Sequence, residues 1–400
     1  MDNNQILTYL VESGIINPLE IQAEMEMRRN DKFLQMHNYK IWQTKNGDWM
    51  TYLPDEKKGR VQKRRKTEKE IKDLVIVYYR GIEENPTVNR LFKEWLDRRI
   101  KNGEIEEATY TRYDADYKRC FTGKKLDHMH VKSVTDIDIE DFIKECIREK
   151  KMSRKAYSNL RTLVYGIFRY AKKKQLIDWN IRDVIEQIDF SKKEFVRVKH
   201  DDSELVFSES EENKLLSLMK SDLSLLNLGL LLVFKTGMRI GELSALKPSD
   251  IHENRIHVQR TETSYRDRDT GKRICTVKDT TKTDAGDRLV IVPDDALWIL
   301  KRIQMQCSSS EWLFYRDGRR ITERCFRNKL YRLCKNAGVV KKSPHKIRKT
   351  YGTKLLDARV PDSLIMEMMG HTNINVAKKH YYVNRYNDSE KSDMINAVGI

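Results

Sequence analysis

Apolar residues recur every three or four positions over several stretches of the chain, the spacing of helices with one buried face. Val88, Leu91, Phe92, Trp95 and Leu96 form one stripe, closed by Gly103. Tyr110, Tyr113, Tyr117 and Phe121 form a second; Ile139, Phe142, Ile143, Cys146 and Ile147 form a third. Ala156, Leu160, Leu163, Val164, Ile167, Phe168 and Ala171 form the fourth. These stripes predict four amphipathic helices packed as a small bundle. Asn85-Pro86 reads as the start of the first helix, a cap residue followed by proline in the first turn, and Ser153 as the start of the last. Ahead of the bundle, Leu7 to Arg28 predicts a short helix, and Tyr39–Thr44 and Trp49–Leu53 flank Asn46-Gly47, a strong hairpin signal. Glu68 to Tyr79 predicts another helix.

Beyond the bundle the pattern changes twice. Phe190 to Asp202 has no apolar period and reads as an interdomain linker. Ser208 and Glu211 then make a capping box before Leu215, Leu216 and Met219, and an apolar helix around Leu223–Phe234 ends at Gly237, a natural left-handed cap. Arg255–Thr261, Arg273–Val277 and Arg288–Val292 alternate as a three-stranded sheet would, and from Asp294 onward the pattern is mostly helical. The expected fold class is multidomain, mainly α with small β-sheets. It comprises a small α/β module over 1–84, a four-helix bundle over 85–189, a linker over 190–202 and a mixed α/β domain with a C-terminal tail over 203–400.

Composition narrows the partner. Lys and Arg number 77 against 60 Asp and Glu, a net charge of +17, which favours a polyanion. Lys57, Lys58, Arg60, Lys63, Arg64, Arg65 and Lys66 put seven cations into ten positions after a hairpin bearing aromatics, a combination suited to phosphate contact or else to a solvated charged loop. Arg154, Lys155 and Arg161 lie outside the apolar stripe of the last bundle helix. The chain has no apolar run long enough for a membrane span, and its opening MDNNQILTYLVESG has no secretory pattern, so the expectation is a cytoplasmic protein away from membranes. The 6 cysteines are scattered without a C-x-x-C pair and read as reduced thiols rather than a metal site.

The chemistry is cationic and phenolic. Gly123-Lys124 and Gly271-Lys272 lack the spacing of a phosphate-binding loop, and G-x-S-x-G and H-E-x-x-H are missing. What remains, in order, is Arg239-Ile240-Gly241-Glu242-Leu243, Lys282 in Thr281-Lys282-Thr283, His345-Lys346-Ile347-Arg348, Gly370-His371 and Tyr381. Each piece alone is commonplace. In this order they resemble the tyrosine recombinase (phage integrase) family over Ser203 to about Asn387, and the helical bundle resembles that family's core-binding domain. The N-terminal hairpin with its basic run looks like the arm-site-binding module of mobile-element integrases.

The resemblance implies a DNA recombinase that cuts and rejoins strands through a 3′-phosphotyrosyl intermediate, with no cofactor or metal. Arg239 and Arg348 are then the phosphate-binding guanidiniums, His345 the base or proton relay, Lys282 the acid that protonates the leaving 5′ oxygen, and His371 a phosphate donor. Glu242, on the helix after Arg239, reads as an orienting acid or else as a surface glutamate. Tyr381, ten residues after His371, is the nucleophile expected by spacing, with adjacent Tyr382 an alternative. The implied partners are double-stranded DNA at core and arm sites, three further copies of the chain in a homotetramer, and an excisionase or DNA-bending host factor. Two readings stay open beside this one: a type IB-like topoisomerase, and a non-catalytic architectural DNA-binding protein.

Overall fold

The computed structural model describes residues 13, 17–55, 58–191, 193–197, 202–280, 284–306 and 310–373. Their chain forms two compact units, one drawn from Met1–Glu106 with Arg112–Val196, the other from Glu107–Thr111 with Arg197–Ile400. The N-terminal module and the bundle therefore share one unit. Among the described residues no helix is long and apolar enough to cross a membrane.

The first unit opens with α1 (Pro18–Gln35), whose first turn is satisfied by Asn17 accepting from the Leu19 amide at 3.0 Å. The helix runs beyond the expected end at Arg28, and the part of the expected helix before Asn17 lies, apart from Ser13, outside the described residues. β1 (Trp42–Gln43) and β2 (Trp49–Asp55) pair antiparallel around the expected turn, where Gly47 sits at φ +86°, a conformation that only glycine adopts without strain. The basic run is not a loop: β3 (Gly59–Arg65) completes the sheet, with Leu53 opposite Val61 and Thr51 opposite Lys63. Thr51 and Leu53 are buried on the inner face, and Leu53 packs with Phe33, Val75 and Tyr79. α2 (Glu68–Glu84) starts at a Thr67/Glu70 capping box.

Asn85 does not start the bundle but caps the end of α2, and Thr87 is the true cap of α3 (Val88–Lys101). Pro86 explains the shift, since proline drives the residue before it out of the helical region and so ends α2 there. α4 (Glu107–Cys120), α5 (Asp136–Glu149) and α6 (Arg154–Lys173) follow as expected, α6 with Ser153 as its cap. Their core is aromatic: Phe92 stacks on Tyr117 at 3.8 Å and Tyr117 on Phe121 at 4.4 Å. α7 (Ile181–Gln187) closes the bundle. The first half of the expected linker belongs to this unit, because Phe190 and Phe195 pack around Tyr157 at 5.0 and 5.6 Å.

In the second unit, α8 (Glu209–Ser221) begins at the Ser208/Glu211 capping box, and α9 (Leu225–Thr236) runs through the core to Gly237 at φ +65°. Leu228, Leu230, Leu231 and Leu232 are all buried, each contributing about 1.5–3 kcal/mol. The short α10 (Ile240–Ser244) follows. The expected three-stranded sheet is two sheets. β4 (Ile251–His252), β5 (Arg255–Val258) and β8 (Arg288–Ile291) form one, and β6 (Thr261–Arg266) pairs with β7 (Arg273–Lys278) in the other. The break falls at Gln259-Arg260, whose side chains both turn to the buried carboxylate of Asp250 and so end β5. α11 (Leu297–Gln306), the hairpin β9–β10 (Tyr315–Arg316 and Arg319–Arg320), α12 (Glu323–Asn336), α13 (Pro344–Asp357) and α14 (Asp362–Met369) complete the unit.

Candidate active site

Arg239 is delivered by a helix break. Gly237 ends α9, and the Tyr351 ring lies so close that a Cβ on Gly237 would fall 2.2 Å from it. Two residues on, Arg239 caps α10, its carbonyl accepting from the Leu243 amide at 3.0 Å. The Glu242 carboxylate folds back onto it, accepting from the Arg239 amide at 2.9 Å and from its guanidinium at 2.6 Å. Arg239 keeps 42% of its side chain exposed, whereas Glu242 is buried.

The first half of α13 supplies the next two groups. His345 stands exposed near the helix start, and Arg348, one turn on, is 1% exposed. Arg348 donates to the Gly237 carbonyl at 2.9 Å, to the Met369 carbonyl, and to Nε2 of His371 at 3.1 Å. Because arginine only donates, Nε2 of His371 is the acceptor, and the proton of neutral His371 sits on Nδ1. His371 is placed by Gly370, which ends α14 at φ +58° and carries its own tight approach: a Cβ there would lie 2.7 Å from the Ala285 carbonyl. Arg239, His345 and Arg348 share one cleft of about 480 Å³, with Thr261 and Tyr331 on its walls.

Arg288 was not among the residues that the sequence singled out. It is buried at the start of β8 and donates to Glu242 Oε1 at 3.2 Å, Glu242 Oε2 at 2.9 Å, the Met368 carbonyl at 3.0 Å and the Gly286 carbonyl at 3.0 Å. The strand's alternation held a signal: Arg288 falls in phase with inward-facing Val290.

The site is electropositive. Burial alone would raise the Glu242 pKa, but Arg288, Arg239 and Arg348 overcome it and hold the carboxyl at about 2. Burial lowers His371 to about 4, with help from Arg348, Arg239 and Arg288. Desolvation, Arg348 and Arg239 likewise lower His345 below its ordinary 6.5, so both imidazoles are neutral at pH 7. Glu262 and Glu323 at the cleft are paired with Arg320 and Arg327. Three guanidiniums against one remaining carboxylate leave about two positive charges, suited to a dianionic, five-coordinate phosphorus. Among the described residues no group of three or more His, Cys, Asp or Glu is arranged to hold a metal ion.

Lys282, Tyr381 and Tyr382, like Lys57 and the tail 387–400, lie outside the described residues. The remaining expected DNA contacts fall in two places in the first unit. On the sheet, Arg60 lies over Tyr52 at 4.4 Å and Arg64 pairs with Asp48. Lys58, Arg65 and Lys66 are exposed, while Lys63 is half-buried opposite Thr51. On α6, Lys155 is exposed and Arg154 lies over the Phe195 ring at 4.8 Å. Arg161 lines a groove of about 600 Å³ with Arg98, Arg99, Arg169 and Lys173.

The phage integrase family model matches residues 205–388. A tyrosine recombinase XerC-like protein of Caldanaerobacter subterraneus subsp. tengcongensis is 24% identical over 345 residues, covering 79% of this chain and 86% of that protein. Among solved structures, the Tn1549 transposon integrase in complex with a circular intermediate DNA superposes with a TM-score of 0.60 at 19% identity, covering 78% of this chain and 99% of that one. A lambda integrase tetramer bound to a Holliday junction gives 0.51 at 16% identity, covering 83% and 95%.

Proposed function

The chain belongs to the phage integrase family of tyrosine recombinases, and from that premise we propose that it integrates or excises a mobile element by cutting and rejoining DNA at a specific site. The observation that carries the reading is the cleft that joins Arg239, His345 and Arg348, with His371 bonded to Arg348.

In the proposed reaction the Tyr381 phenol gives its proton to neutral His345 and its oxygen attacks phosphorus. The bond from phosphorus to the 5′ oxygen breaks, Lys282 protonates that oxygen, and a 3′-phosphotyrosyl link and a free 5′ hydroxyl remain. Arg239 and Arg348 bind the non-bridging oxygens, where charge accumulates as phosphorus becomes five-coordinate. In the DNA-free state Arg348 donates to two carbonyls and to His371, contacts that fix its guanidinium in the cleft. The Nδ1–H of His371 is the donor that it offers to phosphate. A 5′ hydroxyl from the second duplex reverses the steps, so the count of phosphodiester bonds is conserved and no nucleotide is consumed.

Double-stranded DNA is the partner at two kinds of site. The groove around Arg161 and the neighbouring Arg154 and Lys155 grip the core, and Arg60, Lys63, Arg64 and their neighbours on β3 grip arm sequences. Four copies act together, as in the lambda integrase assembly, in the cytoplasm, and an excisionase or DNA-bending host factor sets direction. The test is a nicked suicide duplex carrying the joined ends of the element. The full chain should be trapped as a covalent adduct, Tyr382→Phe should retain it and Tyr381→Phe should lose it. An adduct lost only in Tyr382→Phe reassigns the nucleophile. Relaxation without exchange between two sites favours a topoisomerase, and absence of any adduct favours an architectural DNA-binding protein.

A further inference from the structure

Glu242 is saturated: each oxygen accepts one bond from Arg239 and one from Arg288. Arg288 is nearly as fully engaged, with four donated bonds from three nitrogens. Its acceptors belong to three separate stretches of chain. Glu242 lies on α10 beside Arg239, Met368 is near the end of α14 just before Gly370-His371, and Gly286 follows the segment that holds Lys282. Gly370 leaves room for it, since a Cβ there would come within 3.1 Å of Arg288 Cδ.

We propose that Arg288 is a positioning residue for the transesterification, holding Glu242 so that Glu242 fixes the Arg239 guanidinium and tying that guanidinium to the segment carrying His371. This rests on the recombinase reading for its consequence, but the contact itself does not. A buried cation beside Glu242 would suffice if neutralising its charge were the whole role; the planar fork is needed only if direction matters, because an ammonium cannot donate in the same plane to a carboxylate and two carbonyls. Arg288→Lys therefore separates charge compensation from positioning.

The experiment uses the full chain and two readouts. The first is single-turnover cleavage of a saturating nicked duplex bearing the element's joined ends. The second is the rate at which phenylglyoxal, an arginine-directed reagent, modifies Arg239, mapped by mass spectrometry without DNA. Arg288→Lys should bind the duplex like the parent, cleave on the order of 10²-fold more slowly, as misplacing a catalytic group by about 1 Å does, and expose Arg239 to faster modification. Glu242→Gln should do the same, and the double variant should be no slower than the slower single one, since both act through one contact. If Arg288→Lys does not fold, the neutral pair Glu242→Gln with Arg288→Met removes both buried charges and should match Glu242→Gln in both readouts. Unchanged cleavage and unchanged Arg239 modification in Arg288→Lys overturn the proposal, as does slower cleavage with Arg239 unaffected. Faster modification of Arg239 in a chain whose parent form makes no DNA adduct upholds the contact and removes the recombinase reading instead.

Discussion

Removing the charge of Glu242 should change how stability depends on pH, by an amount that the site sets. The carboxyl is held at about 2 against an ordinary 4.5, and it is nearly inaccessible to solvent, so screening does not erode the difference. A folded-state pKa below the unfolded one means that ionised Glu242 stabilises the fold above pH 4.5, and that this contribution drains away as pH falls toward 2. At about 1.4 kcal/mol for each pH unit between the two values, the gap is worth a few kcal/mol in all, and roughly 1 kcal/mol of it is lost by about pH 3.5. Other acids titrate too, so the useful quantity is the difference between the parent chain and Glu242→Gln, which shares all of them. Because the chain has more than one unit, a global melt is not two-state, and hydrogen exchange at the amides of α10 and β8 reports the relevant opening. The difference in opening free energy should be flat from about pH 7 to 5 and shrink by roughly 1 kcal/mol by about pH 3.5. A difference constant across that range would show that Glu242 ionises as an ordinary carboxyl, and the ion-pair argument would fail.

Gly166→Ala on α6 should destabilise the bundle by about 1–3 kcal/mol, because its Cβ would lie 2.2 Å from the buried Trp95 ring; an unchanged melting temperature would contradict the packing. With His345 lowered from 6.5 by desolvation and by Arg348 and Arg239, its base form prevails at neutral pH, so the acid limb of the cleavage rate should lie below pH 6.5, and a limb at or above that value would exclude His345 as the base. Arg60→Ala with Arg64→Ala should weaken arm-sequence binding and reduce the slope of log affinity against log salt by about 0.9 for each phosphate no longer neutralised, which titrations at several salt concentrations would measure. An unchanged slope would mean that these arginines do not touch the backbone.

Helices were legible wherever one apolar face was enough to specify them. The stripes from Val88 to Ala171 gave α3 to α6, and local chemistry at Ser153, Ser208 and Gly237 gave the start of α6, the start of α8 and the end of α9. Elements stabilised by partners rather than by their own pattern were not. β3 carries a single apolar residue, Val61, among cations, and exists because β2 satisfies its backbone and Lys63 can lay its stem along the inner face. The break after β5 was equally invisible, since Gln259 and Arg260 look like ordinary strand residues until Asp250 draws their side chains away.

The same distinction runs through the active site. Arg239, His345, Arg348 and His371 sit in short motifs, so their order along the chain suggested a common purpose, and the fold does bring the first three to one cleft with His371 bonded to Arg348. Arg288 has no motif. Its meaning comes from four acceptors spread from Glu242 to Met368, a separation of more than a hundred residues that local pattern cannot carry. Its inward phase on β8 was nevertheless a clue, because an isolated buried guanidinium is too costly to keep unless a carboxylate and carbonyls wait for it. An arginine at a strand position that should be apolar thus points to a hidden acid, and here that acid is the one that holds Arg239.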